Sequence, residues 1–280
     1  MPEAAGATTY LDRIVAAHRT MAAADTRPLP GLIEEARAQP PTRGFAAALR
    51  ADHARADHAR ADHARTLAVI AEVKRRSPSK GDLYPDLDAA AVARAYERGG
   101  AACLSVLTDV EFFGGSVADL HAARSATALP VLRKDFTVSA ADLCDARSMG
   151  ADAVLLIAAA LDDAELADLH ALAVDLDLDA LVEVHDEAEL DRALEVGATL
   201  VGVNQRDLVT FAVDPDRAVR VAAAMPASVM RVAESGIRGP GDASALAAAG
   251  FDAVLVGESL VTARDPAAAV AALRRPPGRP

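Results

Sequence analysis

Gly100-Ala101-Ala102-Cys103-Leu104-Ser105-Val106-Leu107 and Gly150-Ala151-Asp152-Ala153-Val154-Leu155-Leu156-Ile157 share one frame, which returns at Gly197-Ala198-Thr199-Leu200-Val201-Gly202-Val203 and at Gly250-Phe251-Asp252-Ala253-Val254-Leu255-Val256-Gly257. Each is a glycine where a helix stops, a short spacer, then an apolar run of strand length. Between the frames lie Pro130-Val131-Leu132-Arg133, Ala180-Leu181-Val182-Glu183-Val184 and Val229-Met230-Arg231-Val232-Ala233, and ahead of them a run over 67–73. Alanine-rich helical stretches at 88–98, 140–149, 162–174, 186–196 and 240–249 alternate with these strands. Strands alternating with helices predict a parallel sheet, and eight such units predict a closed barrel. An open doubly wound sheet is the rival, but no G-x-G-x-x-G follows the first strand. The expected fold is α/β, a single (βα)8 TIM barrel over 66–273 with an extra N-terminal helical segment.

Composition agrees with that frame. A chain of 280 residues fits one large α/β domain, since such barrels reach about 200–250 residues as a unit. Its apolar content comes from Ala, Val and Leu, not aromatics, which suits strands covered by helices. A formal net charge of −12 argues against a general nucleic-acid or anionic-membrane binder, so an anionic ligand needs a local positive pocket. Cys103 and Cys144 are two thiols without metal spacing, read as buried or incidental in a reducing compartment. No apolar run approaches bilayer-spanning length and the N-terminus lacks a signal peptide's apolar region, so the expected location is cytoplasmic.

Residues 1–65 read as an N-terminal helical extension packed on the barrel. An amphipathic helix at 8–23 is capped at Thr8 or Thr9, and helical stretches at 31–38 and 44–50 are split by Pro40-Pro41. They are expected to cover the barrel's N-terminal side. Residues 51–65 repeat Ala-Asp-His-Ala-Arg three times, a low-complexity tract. Its His53, His58 and His63 turn by about 140° from one to the next on a helix, so they share no face, and a solvated helical extension is expected in place of a metal site. The Pro/Arg/Gly-rich tail at 274–280 reads as disordered.

Polar residues at the C-terminal ends of barrel strands line the active site of this architecture. The candidates are Glu72 and Lys74 on strand 1, Lys134 on strand 3, Glu183 on strand 5, Asn204 and Arg206 on strand 6, and Glu234 and Ser235 on strand 7. Glu72 and Lys74 share one face of their strand. A carboxylate and an ammonium at the mouth of an apolar strand cost desolvation, which a chain accepts where the charges do chemistry. Lys134, next to Arg133 and partly desolvated, is expected to have a lowered pKa. Glu183, between Val182 and Val184, is expected to have a raised one.

A second group reads as a phosphate cradle. Ser235-Gly236 follows strand 7, and Gly257-Glu258-Ser259 opens a helix after strand 8, where backbone N–H groups bind phosphate. Ser77 and Arg75 in the first loop add donors. Gly236 and Gly257 also read simply as turn glycines. A third group, Pro78, Phe112, Phe113, Phe136, Leu156, Leu181 and Leu208, offers an apolar wall for an aromatic ring.

These motifs resemble one family. Glu72–Gly81 (EVKRRSPSKG), Ser105–Asp109 (SVLTD), Phe112–Ser116 (FFGGS), Leu132–Phe136 (LRKDF), Leu181–His185 (LVEVH), Gly202–Leu208 (GVNQRDL), Ala233–Ile237 (AESGI) and Leu255–Leu260 (LVGESL) look like indole-3-glycerol-phosphate synthase, in family order. The resemblance implies a lyase of tryptophan biosynthesis. Such an enzyme converts 1-(2-carboxyphenylamino)-1-deoxyribulose 5-phosphate to indole-3-glycerol phosphate, CO2 and water without metal or cofactor. By position, Lys134 would be the general acid, Lys74 would bind the anthranilate carboxylate, and Glu72 would orient Lys74. Glu183 would assist dehydration with Asn204 holding hydroxyls, while Glu234 and Ser235 would complete the polar mouth. Ser77, Arg206, Gly236, Gly257 and the Glu258 backbone would hold the phosphorylated chain, and Phe113, Phe136, Leu181 and Leu208 would pack on the ring. The implied partners are a phosphorylated small molecule, no nucleic acid and no membrane. The implied assembly is a monomer or weak homodimer, with contact to other tryptophan-pathway enzymes as an option.

Two departures stand out. Gln205 replaces an Asn common in the family, and 137–147 lacks the Tyr-Gln often found after the strand 3 loop. Phosphoribosylanthranilate isomerase, another phosphate-binding barrel, uses a Cys and an Asp at strand ends and would not need L-R-K-D-F. A barrel kept only for interaction would have lost lysines or carboxylates from the mouth, and none is missing.

Overall fold

In a computed structural model that describes residues 9–58 (backbone only over 53–58), 66–77, 80–207 and 212–274, eight parallel strands close on themselves. They are β1 Ala68–Val73, β2 Cys103–Leu107, β3 Val131–Lys134, β4 Ala153–Ile157, β5 Asp179–Val184, β6 Leu200–Asn204, β7 Met230–Glu234 and β8 Ala253–Val256. Each pairs in parallel with the next, and β8 returns to β1 with Ala68 opposite Ala253. The helices, in chain order, are α1 Tyr10–Ala24, α2 Leu29–Arg37, α3 Phe45–His58, α4 Ala89–Gly99, α5 Val117–Ala126, α6 Ala140–Ser148, α7 Asp163–Asp175, α8 Glu187–Glu195, α9 Pro215–Ala224, α10 Pro240–Ala248, α11 Glu258–Val261 and α12 Pro266–Arg274. A two-residue hairpin pairs Arg76–Ser77 with Gly81–Asp82 in the loop after β1.

The repeated frame does two jobs. Gly100, Gly150, Gly197 and Gly250 sit at φ of 87°, 83°, 80° and 92°, the left-handed region where a side chain is strained and glycine is not. In the second and fourth frames an acidic residue two positions later also anchors the neighbouring strand: Asp152 accepts the Val131 N–H (2.8 Å) and Asp252 accepts the Arg231 N–H (2.9 Å). Asp152 is fully buried. It also accepts the Arg43 N–H (2.7 Å) and pairs with Arg124 (2.5 Å), tying the segment before α3 to the barrel. Removing one partner of a buried charge pair costs about 3–5 kcal/mol. Asp152→Ala is therefore expected to lower the melting temperature by several degrees, and an unchanged calorimetric midpoint would refute this anchoring role.

Strand alternation sorts the core into two layers. Ala68, Ile70, Leu132, Ala153, Leu155, Leu181, Leu200, Val232 and Leu255 fill the barrel interior. Val69, Ala71, Val154, Leu156, Val182 and Val254 face the surrounding helices.

The N-terminal helices do not all lie on the N-terminal side, as the sequence predicted. On α3, Phe45 and Leu49 are fully buried against the interior layer at the bottom of the barrel. α2 packs on α6 along the flank. α1, capped by a reciprocal Thr9–Asp12 box, lies over the opposite end, where Tyr10, Leu11 and Ile14 line the mouth. Its buried stripe needs an apolar partner, and the phenylalanines of the loops after β2 and β3 supply one.

The expectation of a solvated repeat fails at its first unit. α3 continues into it, and Asp52 is buried, paired with Arg274 at 2.8 and 3.0 Å. Arg274 closes α12 and also donates to the Gly100 carbonyl (2.5 Å), so this acid neutralises a guanidinium that caps the first frame. His53, His58 and His63, and the tail past Arg274, lie outside the described side chains. Among the described residues, no helix is long and apolar enough to cross a membrane.

Candidate active site

The same alternation that fills the interior aims the chemistry. Past Ala68 and Ile70 the inward positions are Glu72, on β1, and Lys74, one residue beyond its end. Past Leu132 comes Lys134, past Leu181 comes Glu183, past Leu200 come Gly202 and Asn204, and past Val232 comes Glu234. All these polar side chains line one cavity of about 700 Å³ at the C-terminal mouth, a size suited to a small metabolite.

Lys134 stands at the centre, its Nζ 3.5 Å from Glu183 Oε2 and 3.8 Å from Glu234 Oε2. Asn204 Nδ2 donates to Glu183 Oε1 (3.0 Å), and its own Oδ1 accepts the Arg206 N–H (3.0 Å). Lys74 Nζ lies 2.5 Å from Glu72 Oε2. Two glycines make room for these carboxylates: a Cβ on Gly202 would fall 2.1 Å from Glu234 Oε1, and one on Gly257 would fall 2.1 Å from Glu72 Oε2. Side-chain crowding, not turn geometry, requires glycine there.

The electrostatics correct both pKa expectations. Burial works to lower the Lys134 pKa, but Glu183, Glu234 and Glu72 outweigh it and hold the ammonium above its ordinary value. Burial works to raise Glu183, but Lys134 and His185 pull it below the usual range, so it is a carboxylate. The raised carboxyl is Glu234, pushed up to about 8 by burial and by the charge of Glu183. Glu183 and Glu234 share one lysine and cannot both ionise cheaply; Glu183, which also has Asn204 and His185 beside it, holds the charge, and Glu234 keeps its proton.

The opposite corner is built from strained backbone. Ser235 and Gly236 follow β7 at φ of 65° and 71°. Gln205 holds that turn, its N–H on the Glu234 carbonyl (3.0 Å) and its Nε2 on the Ser235 carbonyl (2.8 Å). Ser259 Oγ donates to the Ile237 carbonyl (2.9 Å), joining the loops after β7 and β8. Gly236, Gly257, Glu258, Arg206 and Ser77 all line this part of the cavity. Ser77 Oγ is buried and finds no hydrogen-bond partner among the described residues. Lys80 of the first loop pairs with Glu258 across the opening.

The apolar wall is made by Phe113 and Phe136, ring centroids 6.1 Å apart, with Leu107, Leu155 and Ile157. Leu181 is not part of that lining: it is fully buried in the interior layer beneath Glu183. Leu156 faces the helices, and its neighbour Leu155 takes the inward position. Phe112 leaves the cavity to stack edge-on against Tyr10. Pro78 and Leu208 lie outside the described residues, and Arg75 points away, paired with Asp119.

Sequence reading missed two supporting residues. Gln205, which the sequence offers only as a departure from the family pattern, anchors the strained turn. His185 backs Glu183 from outside the cavity, its Nε2 3.7 Å from Glu183 Oε1 and its Nδ1 3.1 Å from Glu189 Oε2. Its i, i+4 spacing to Glu189 was the available signal. Among the described residues, His18, Asp109 and Asp135 have the composition of a metal site. Arg133 and backbone N–H groups already occupy those carboxylates.

A family profile described as Indole-3-glycerol phosphate synthase matches residues 11–273. Proteins of that name from Mycolicibacterium vanbaalenii (48% identical, 96% of this chain and 94% of the relative) and Polaromonas sp. (49% identical, 94% and 97%) align over nearly the whole chain. Among solved structures, 3-hexulose-6-phosphate synthase superposes with a TM-score of 0.58 at 21% identity, covering 75% of this chain and 98% of that one. Thiamine phosphate pyrophosphorylase from Pyrococcus furiosus does so with 0.57 at 18%, covering 74% and 94%. These two share the barrel alone. Extent, identity and the run of the profile from α1 to α12 agree: the chain belongs to the indole-3-glycerol phosphate synthase family, carboxy-lyases that close an indole ring with loss of CO2.

Proposed function

We propose that the cavity converts 1-(2-carboxyphenylamino)-1-deoxyribulose 5-phosphate to indole-3-glycerol phosphate, CO2 and water, with Lys134 as the general acid. The observation that carries this reading is a lysine held charged between Glu183 and Glu234 in the same cavity as the Glu72–Lys74 pair. The phosphate rests at the corner of Gly236, Gly257 and the Glu258 backbone, with Ser77 and Arg206. The aromatic ring stacks on Phe113 and Phe136, and Lys74 holds its carboxylate. Two fixed ends leave one carbonyl facing Lys134.

As the ring carbon bearing the carboxylate attacks that carbonyl, charge develops on its oxygen and Lys134 transfers a proton to it. A raised lysine pKa suits this step, because the acceptor is a nascent alkoxide, more basic than an amine. Loss of CO2 then restores the aromatic ring. In the dehydration, the ring nitrogen's electron pair expels the hydroxyl, which leaves as water with a proton from Lys74, and Glu183 takes the proton from the adjacent carbon. Asn204 holds the sugar hydroxyls. The enzyme acts in the cytoplasm, as a monomer or weak homodimer.

The test is direct. Mixing protein and substrate should produce indole absorbance and fluorescence, and the chain contains no tryptophan to mask the signal. Failure to form indole from this substrate would overturn the reading. The protonated Glu234 supplies a further check. Above about pH 8 it ionises, adds a negative charge beside Lys134 and tightens the lysine's hold on its proton. kcat should therefore fall on the alkaline side. Glu234→Gln, neutral at every pH, should remove that limb, and a limb that persists unchanged would assign it elsewhere.

A further inference from the structure

The N-terminal helix reaches the loops around the reacting lysine through one side chain that does not itself line the cavity. His18, on α1, is buried. Its Nε2 lies 3.0 Å from Asp109 Oδ2 and 3.7 Å from Asp135 Oδ1. Asp109 sits in the loop after β2, where its Oδ1 accepts the N–H groups of Phe112 (2.7 Å) and Phe113 (3.0 Å). Asp135 directly follows Lys134. Its Oδ1 accepts the Phe136 N–H (2.9 Å), and its Oδ2 accepts from Arg133 (3.0 Å) and Thr108. The His18 ring leans on Phe136 at 5.4 Å between centroids, and Phe136 leans on Phe113. One imidazole thus joins α1 to the two loops that carry the apolar wall.

Charge counting explains why a histidine stands there. Two buried carboxylates face it and Arg133 neutralises one of them, so the second needs a cation. The remaining charged groups are Asp142 at the start of α6 and, one position along α1, Arg19, which Glu165 of α7 engages at 2.5 Å. Arg133, Thr108 and three amide N–H groups already engage three of the four carboxylate oxygens, leaving Asp109 Oδ2 to the imidazole.

We propose that His18 is a positioning residue for the ring closure: as an imidazolium it clamps α1 onto Asp109 and Asp135, and so holds Phe113 and Phe136 where the aromatic end of the substrate binds. This rests on the synthase reading for its substrate. Burial works to lower the His18 pKa, but the hydrogen bond to Asp109 and the charges of Asp135, Asp109 and Asp142 raise it overall. The charged clamp is therefore complete below the ordinary histidine range and is lost as pH rises through the raised folded value. Neutral histidine can keep one hydrogen bond to Asp109 but loses the charge assistance.

The experiment compares the full-length parent with His18→Ala and His18→Asn. In the parent, KM should rise about threefold to fivefold between pH 6.5 and 8.5 as the charge assistance is lost. His18→Ala should raise KM about tenfold at pH 6.5 and flatten its pH dependence, with the shape of the kcat profile kept. His18→Asn, which can donate to Asp109 at every pH, should recover most of the lost KM but not the pH dependence. It also serves if the alanine variant fails to fold. Hydrogen exchange at one pH should show the Phe112 and Phe113 amides exchanging about tenfold faster in His18→Ala. A parent KM flat across this range, or a His18→Ala KM within twofold of the parent, would overturn the proposal. If the parent forms no indole at all, the synthase reading fails and the exchange result decides the clamp: faster exchange supports it, unchanged exchange refutes it.

Discussion

Lys134→Ala is expected to lower kcat by at least about a thousandfold, since general-acid catalysis and charge stabilisation at the developing oxyanion are both removed. Binding should survive. The proposed phosphate corner lies on the loops after β7 and β8, the proposed aromatic wall on those after β2 and β3, and Lys74 just past the end of β1, so on this reading Lys134 is not the main anchor of either end. Product affinity, measured by calorimetry, should change by less than tenfold while indole formation disappears. The variant also leaves Glu183 and Glu234 without the ammonium 3.5 and 3.8 Å away. Glu183 then loses the charge that keeps it ionised, and its pKa should move up. A variant that turns over at near the parent rate would assign the acid to another residue, with Lys74 the first to examine.

Glu183→Gln is expected to lower kcat by about a hundredfold to a thousandfold, the usual worth of a lost general base. The amide keeps the shape of the carboxylate and still accepts from Asn204, so packing is little changed. The informative readout is the order of products. Decarboxylation precedes dehydration in the proposed sequence, so a single-turnover experiment should show CO2 released ahead of indole. Equal slowing of both products would mean that Glu183 acts before the ring loses its carboxylate. His185 and Glu189 stand behind Glu183, and the glutamine variant removes the charge that His185 faces without disturbing the His185–Glu189 bond.

The barrel was legible in the chain because its units are local. A glycine at positive φ and an alternating apolar run each act within a few residues of themselves, and the acids Asp152 and Asp252 reach only to the preceding strand, 21 residues back. The inward polar set followed from the same alternation. Once Ile70 and Leu132 face the interior, Glu72 and Lys134 must open into the mouth. The repeat before β1 was misread because its partner, Arg274, lies at the far end of the chain.

The sequence by itself thus determined the strand frame, the inward parity of each strand and the family to which those motifs point. Tertiary structure alone decided which acid keeps a proton, why Gly202 and Gly257 have no side chain, and that α1 crosses to the catalytic end. The physical reason is range. Backbone conformation and strand parity are set by neighbours along the chain, whereas charge and crowding are set by neighbours in space. Glu183 and Glu234 sit in similar apolar sequence surroundings, and the spatial partners of Glu183, namely Lys134, His185 and the Asn204 amide, separate a carboxylate from a carboxylic acid.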